Sequence, residues 1–501
     1  MKFSTIPNPL GGFQDICRLT CCTALINSAL SPHLVFPSAP QFPSLVNAHY
    51  ATSAPLQPAC FVQPQTSDQV ALAVSILVET DDGTPECNFA IRSGGHMPYK
   101  GAAGAEGGVT IDLAMLNATV YHPESSTVSI MGGARWGEVY KTLKPYGIAV
   151  TGGRSDTVGV GGLMIGGGLS YFAPKYGFAC DNVVSFEIVL SNGKLTTASS
   201  TSNPELFKAL KGGGNNFGIV TKVELRTFTQ GPLWGGLLGH ELSAIPAQIN
   251  ALVHLTTNLT SDPHANCVAF WQYSGNSNTS IAVSGLQYAL GVDSAPILHE
   301  FLGIPQTFST LRTTDIYDLM MESAPPPGKR ALFLTLTFRN DARVLEHLHS
   351  LHGQAVHTAT ATMMEGENNE DKNWDIISFL QPFPSFLGKV TKESHDKNVL
   401  GLEDMDGDHI LYLFFLSWTH PASDHIFHSI GYDLIKKLKT YTQETSTDSD
   451  YIYMNYAGRD QNPLRGYGEE NLEYLAAVAR KYDPLGVFQR QVPGGFKITK
   501  A

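Results

Sequence analysis

Five consecutive residues, Arg92-Ser93-Gly94-Gly95-His96, join a fixed positive charge, two glycines and an imidazole at the end of a short apolar run. That run, Cys87 to Ile91, suits a strand entering a core, and the paired glycines mark a sharp turn after it. Successive backbone N–H groups in such a turn can converge on an anion, with Arg92 adding charge, which is the chemistry of a phosphate cradle. An ordinary glycine-rich turn with a surface histidine fits the same fragment, because short motifs match by accident.

Glycine is dense a second time between residues 151 and 177, TGGRSDTVGVGGLMIGGGLSYFAPKYG. Its spacing lacks G-x-G-x-x-G at the head of a long helix, which disfavours a dinucleotide fingerprint of the Rossmann kind. No G-x-x-x-x-G-K-[ST] is present either, since Lys194 and Lys389 are followed by Leu195 and Val390. His347, His349 and His352 have a metal-like spacing but no further ligand group at a recognisable distance. The acidic run Asp404, Asp406, Asp408 lacks the glycine and closing glutamate of a calcium loop. No metal site is expected.

These segments need a scaffold. With 501 residues, 43% hydrophobic and 10% aromatic, the chain is globular and long enough for two or three domains. No run of about 18 apolar residues exists to span a membrane. A formal charge of -12 without a Lys/Arg cluster argues against nucleic acid as a partner. Seven cysteines, clustered early, allow one or two disulfides. Sequons at Asn117, Asn258 and Asn278 permit a secretory route, whereas the start of the chain lacks the uninterrupted apolar stretch of a signal peptide. Localisation and oligomeric state stay open.

Periodicity predicts a helix from Asp68 to Glu79 capped by Ser67, then the strand into Arg92. Two strands follow around a turn at Pro123-Glu124-Ser125, with a helix from Trp136 to about Tyr146 ended by Gly147. A hairpin turns at Asn192-Gly193, both taking positive φ angles. From Thr229 glycine thins out and longer alternating stretches such as ALFLTLTF and HILYLFFLSW, separated by helical segments, predict a second domain built on an antiparallel sheet. The tail ends in a helix from Glu469 to Tyr482, stopped by Asp483-Pro484. The expected fold class is α+β, divided as an extension 1–54, a first domain 55–228, a second 229–450 and a returning segment 451–501.

Six ordered motifs then carry a resemblance: RSGGH with GGVTIDL, TVGVGGLMIGGG, YGFACDNV, GGGNNFGIVT, and YMNY with KYDPLGVFQ. Together they resemble the berberine bridge enzyme-like FAD-linked oxidases of the vanillyl-alcohol oxidase superfamily, over residues 55–228 and 450–498. The resemblance implies a PCMH-type FAD domain of two α+β subdomains and a substrate domain whose sheet covers the flavin. It implies a covalent bond from His96 to the flavin 8α-methyl, with Arg92, Ser93, Gly94 and Gly95 around the pyrophosphate. Met97, Ser155, Thr157, Gly161, Gly162, Val220 and Asn455 complete the implied cofactor contacts. Many members attach the flavin a second time through a cysteine in G-x-C-P-T-V-G. Ser155 stands there, so a single attachment is expected.

Tyr453 and Tyr456 are implied to lie beside the flavin, and a phenol with a pKa near ~10 needs nearby positive charge to serve as a base at neutral pH. Some members place a glutamate on the strand corresponding to HILYLFFLSW; here no carboxylate lies between Ile410 and Trp418. Val158 is implied to lie where oxygen meets the flavin. The expected function is an FAD-dependent oxidase acting on an alcohol or activated C–H of a small natural product, with O2 as acceptor and H2O2 as product. Alternatives are a carbohydrate oxidase, a cyclase or isomerase without net redox change, and a binding protein that keeps only the scaffold.

Overall fold

The computed structural model describes residues 21–78, 87–323, 325–364, 371–388, 397–403 and 405–501. In chain order the fold begins with a small sheet in which Leu34–Val35, Cys60–Val62, Val109–Asp112 and Phe89–Arg92 lie side by side. The last three pair in parallel, which demands a crossover, supplied by the helix Ser67–Val78. That helix begins where its periodicity predicts, but Thr66 Oγ1, not Ser67, accepts the Gln69 N–H at 3.2 Å. The Ser67 hydroxyl instead donates to Glu187 Oε1 at 2.6 Å. The predicted end at Glu79, and Cys17 and Asp404, lie outside the described residues.

Two disulfides tie this sheet to the residues before it, Cys21–Cys87 and Cys22–Cys60. They close separations of 66 and 38 residues, each removing on the order of 4 kcal/mol of unfolded-chain entropy in the loop-closure account. Cys87 stands two residues before the strand that leads into Arg92, so one bridge anchors the approach to the glycine turn.

The second sheet orders Thr119–His122, Thr127–Met131, Ile219–Arg226, Val183–Val189 and Leu195–Ser199, all antiparallel. Gly147 takes φ 65° after the helix Trp136–Leu143 and its 3-10 extension, as its position past the last turn requires. At the hairpin only Gly193 has positive φ, at 72°. Asn192 instead accepts the Lys194 N–H through its side chain at 3.0 Å, which is an Asx contact that needs no left-handed residue.

The third sheet has eight antiparallel strands, among them Leu233–His240, Thr279–Tyr288, Ala265–Ser274, Asp375–Phe383, His409–Trp418 and Arg330–Arg339 in that spatial order. Helices Ile245–Asn258, Ala342–Met364 and Asp424–Glu444 supply the apolar cluster on one face, where Trp271, Leu334, Phe414 and Trp418 are buried. A separate cluster on the other face holds Tyr50, Phe333, Phe379, Leu413 and Phe415. Every residue of His409–Trp418 is buried, so the alternation expected of HILYLFFLSW gives way to a strand covered on both faces.

After that sheet the tail returns to the second one. Asn216 Nδ2 donates to the Phe496 carbonyl at 2.9 Å, and Tyr482 donates to Glu205 at 2.6 Å. Asp483 ends the last long helix and accepts the N–H groups of Val487 and Phe488, both at 2.8 Å.

Candidate active site

Two glycine-bearing loops cross at Gly94 and Gly159. A Cβ on Gly94 would lie 2.3 Å from the Gly159 nitrogen, and one on Gly159 would lie 2.2 Å from the Gly94 nitrogen. Neither position can carry a side chain without parting the loops. The Ser93 hydroxyl donates to the Gly132 carbonyl at 2.6 Å, and Arg135 donates to the carbonyls of Gly94, at 3.2 Å, and Thr157. Arg135 is a clamp that sequence reasoning missed; a lone arginine in the run Gly132-Gly133-Ala134-Arg135-Trp136 was its only signal.

The crossing opens on a cavity of about 370 Å³ between these loops and the cluster-bearing face of the large sheet. Ser93, Gly94, Gly95, His96, Met97, Ser155, Val158, Gly161, Gly162, Val220, Tyr453, Asn455 and Tyr456 all line it. Arg92 and Thr157 do not.

Arg92 corrects the expectation drawn from its charge. Its guanidinium donates to both Asp112 oxygens, at 3.3 and 3.0 Å, and to the Leu45 carbonyl at 2.5 Å, and sits 4.9 Å over the Phe61 ring. It is 2% exposed. A guanidinium so neutralised braces the strand end and leaves no charge for a phosphate. Thr157 acts through His96, its Oγ1 lying 3.2 Å from Nε2.

His96 stacks on Tyr50, with ring centroids 4.2 Å apart and planes at 25°. Burial, reinforced by the Arg135 charge, pushes its imidazole down to about 3. It is therefore neutral, with a lone pair available, throughout the physiological range. Ser155 Oγ is buried without a hydrogen-bond partner.

The two tyrosines differ in role. Tyr453 accepts from the Leu169 N–H at 2.9 Å and from Asn455 Nδ2 at 3.1 Å, and burial pushes its phenol up. It holds the tail against the glycine-rich loop. Tyr456 packs edge-on against it at 4.9 Å and accepts from Arg154 Nη2 at 2.7 Å and Gln381 Nε2 at 3.2 Å. Arg154 lay within the quoted glycine segment but was given no role in the sequence reading.

The three histidines of metal-like spacing point apart. His347 stacks on Tyr441 at 3.9 Å, His349 meets Trp271, and His352 Nδ1 lies 2.9 Å from Ser378 Oγ. Asp406 pairs with Arg339, and Asp408 accepts from Ser385. Among the described residues no group of three His, Cys, Asp or Glu side chains could hold a metal ion.

An FAD binding domain model matches residues 58–199. The FAD-dependent monooxygenase drtC of Aspergillus calidoustus is 39% identical over 96% of this chain and 90% of its own. The BBE-like 1 protein of Physcomitrella patens shares the fold with a TM-score of 0.72 at 19% identity, over 94% of this chain and 98% of that one. For 6-hydroxy-D-nicotine oxidase of Arthrobacter nicotinovorans the TM-score is 0.73 at 22% identity, over 91% and 96%. Fold and relatives define an FAD-linked oxidoreductase. The chain belongs to the family of FAD-dependent monooxygenases that includes drtC, and its fold is the one seen in the BBE-like 1 protein and in 6-hydroxy-D-nicotine oxidase.

The cavity fits that cofactor in three respects. A Cβ on Gly162 would meet no atom within 4 Å, so the missing side chain is room. The orphaned Ser155 hydroxyl is a polar atom awaiting a partner. A neutral imidazole lies at the cavity wall.

Proposed function

We propose that this chain is an FAD-dependent oxidase of a small molecule, with His96 as the single covalent attachment and Tyr456 as the base. When bound, FAD accepts a hydride equivalent from the substrate and returns the electrons to O2. The chain's own residues do the rest. The neutral His96 imidazole anchors the flavin and Thr157 fixes its ring. Tyr456 takes the proton of the substrate hydroxyl or adjacent carbon, with Arg154 and Gln381 both donating to its oxygen and fixing its position. Tyr453 and Asn455 position the tail. The glycines of the crossed loops admit the cofactor closely, and the segment 55–228 completed by 451–501 forms its domain, with 229–450 covering the substrate.

The observation that carries this reading is the Arg154–Tyr456 contact inside a flavin-family cavity lined, among the described residues, by no carboxylate. A second reading has support in the name of the relative drtC, a monooxygenase: oxygen would enter the product. Turnover under ¹⁸O2 with parallel peroxide measurement decides. Peroxide equimolar with product and no label in it supports the oxidase; label in the product overturns it for the monooxygenase, and turnover without oxygen uptake overturns both.

A further inference from the structure

The large sheet shows the cavity a wall of rings. Phe270 and Phe379 are cross-strand partners with centroids 5.2 Å apart, and Phe333 and Phe415 are partners at 5.3 Å. Phe379 and Phe415 join the two pairs at 6.4 Å. Such a wall favours a flat, apolar ligand that can stack or meet ring edges. Two amides interrupt it. Gln287 and Gln381 are each 4% exposed, line the cavity, and have carbonyl oxygens without a hydrogen-bond partner.

Gln287 lies on Thr279–Tyr288 and Gln381 on Asp375–Phe383, with only Ala265–Ser274 between and a register offset of two residues, so the two sit about 12 Å apart across the sheet. Between them the floor is low: Val268 and Gly285 are partners and both line the cavity. A buried carbonyl left unpaired is costly, and a ligand hydroxyl that satisfies it gains the difference.

Resting on the flavin reading above, we propose that the substrate is a planar, fused-ring aromatic carrying hydroxyl groups, whose rings lie on the phenylalanine wall and whose O–H groups donate to Gln287 and Gln381. Arg154 supplies the cavity's single permanent charge among the described lining residues and suits a phenol losing its proton. An oligosaccharide fits poorly. A hydroxyl on nearly every carbon would require polar partners where the wall offers phenylalanine rings.

Binding tests this without turnover. The flavin-loaded protein is titrated with 2-naphthol, naphthalene and cellobiose, following the flavin absorbance. We expect 2-naphthol to bind about tenfold more tightly than naphthalene, as one satisfied buried acceptor provides, and cellobiose not to bind. Since the probe carries a single hydroxyl, at least one of Gln287→Leu and Gln381→Leu should shrink the naphthol advantage about twofold or more, with the closer isosteres Gln287→Met and Gln381→Met used if a leucine variant loses flavin. Equal affinity for naphthol and naphthalene, binding of cellobiose, no binding of any probe, or an undiminished advantage in the variants overturns the proposal. A protein isolated without flavin fails the reading beneath it instead, and shows this before titration begins.

Discussion

The Arg154 guanidinium donates to the Tyr456 phenol oxygen at 2.7 Å across 302 positions of sequence. A loop from the flavin side and the returning tail thus meet over one proton-bearing atom. With Gln381 also donating, that oxygen is held by two N–H groups.

Tyr456→Phe should therefore slow anaerobic flavin reduction by about 10²–10³-fold while flavin content is kept. Arg154→Met should slow the same step by about tenfold, because the phenol oxygen loses its charged hydrogen-bond donor. Stopped-flow reduction from pH 6 to 10 measures both, and parent-like rates in Tyr456→Phe remove the phenol from the chemistry.

Acid-precipitated parent protein should stay yellow and His96→Ala should release its colour. Peptide mapping should find flavin on His96 alone, since Ser155 offers a hydroxyl where a thiol would be needed. A colourless parent pellet ends the tether, and a second flavinylated peptide ends single attachment.

Val158 lines the cavity while its carbonyl accepts the Trp136 N–H at 3.1 Å. Its backbone is fixed, so a longer side chain must extend into the cavity. Val158→Leu should slow reoxidation of the reduced flavin at least about tenfold with reduction by substrate little changed, because a close-packed channel yields little to one methylene. Equal reoxidation rates would dismiss Val158 as a gate.

Burial pushes His352 down to about 3, with His349 adding to it. Its folded pKa lies below the unfolded value, so the unfolded chain binds the proton first. Stability is complete above about pH 6.5 and falls as pH drops toward 3, by up to about 1.4 kcal/mol per unit. His352→Gln should flatten this acid limb in thermal unfolding between pH 7 and 4; an unchanged limb would assign it to other groups.

Much of this was legible in sequence, for identifiable reasons. Glycines that must touch another backbone, such as Gly94 and Gly159, leave an unmistakable deficit of side chains, and the stretch His409–Trp418 announced a strand, though not that both its faces are covered. Partnerships between distant residues were not legible. Arg92 looked available until the fold brought Asp112 alongside on a neighbouring strand, and Arg154 looked idle until the tail brought Tyr456. The cap assigned to Ser67 moved one residue because Glu187, far along the chain, engages that hydroxyl.

The neighbouring cysteines at 21 and 22 reach different partners, Cys87 just before one strand and Cys60 at the start of another, so a one-residue exchange of partners is chemically easy and structurally wrong. On a helix, consecutive residues point about 100° apart. The swapped pair would have to rotate that turn, which also carries the buried Leu25. Recombinant yield of holoprotein should thus follow a host's capacity to reshuffle thiols rather than its capacity to oxidise them, with the ratio of flavin to protein serving as the assay for correct maturation.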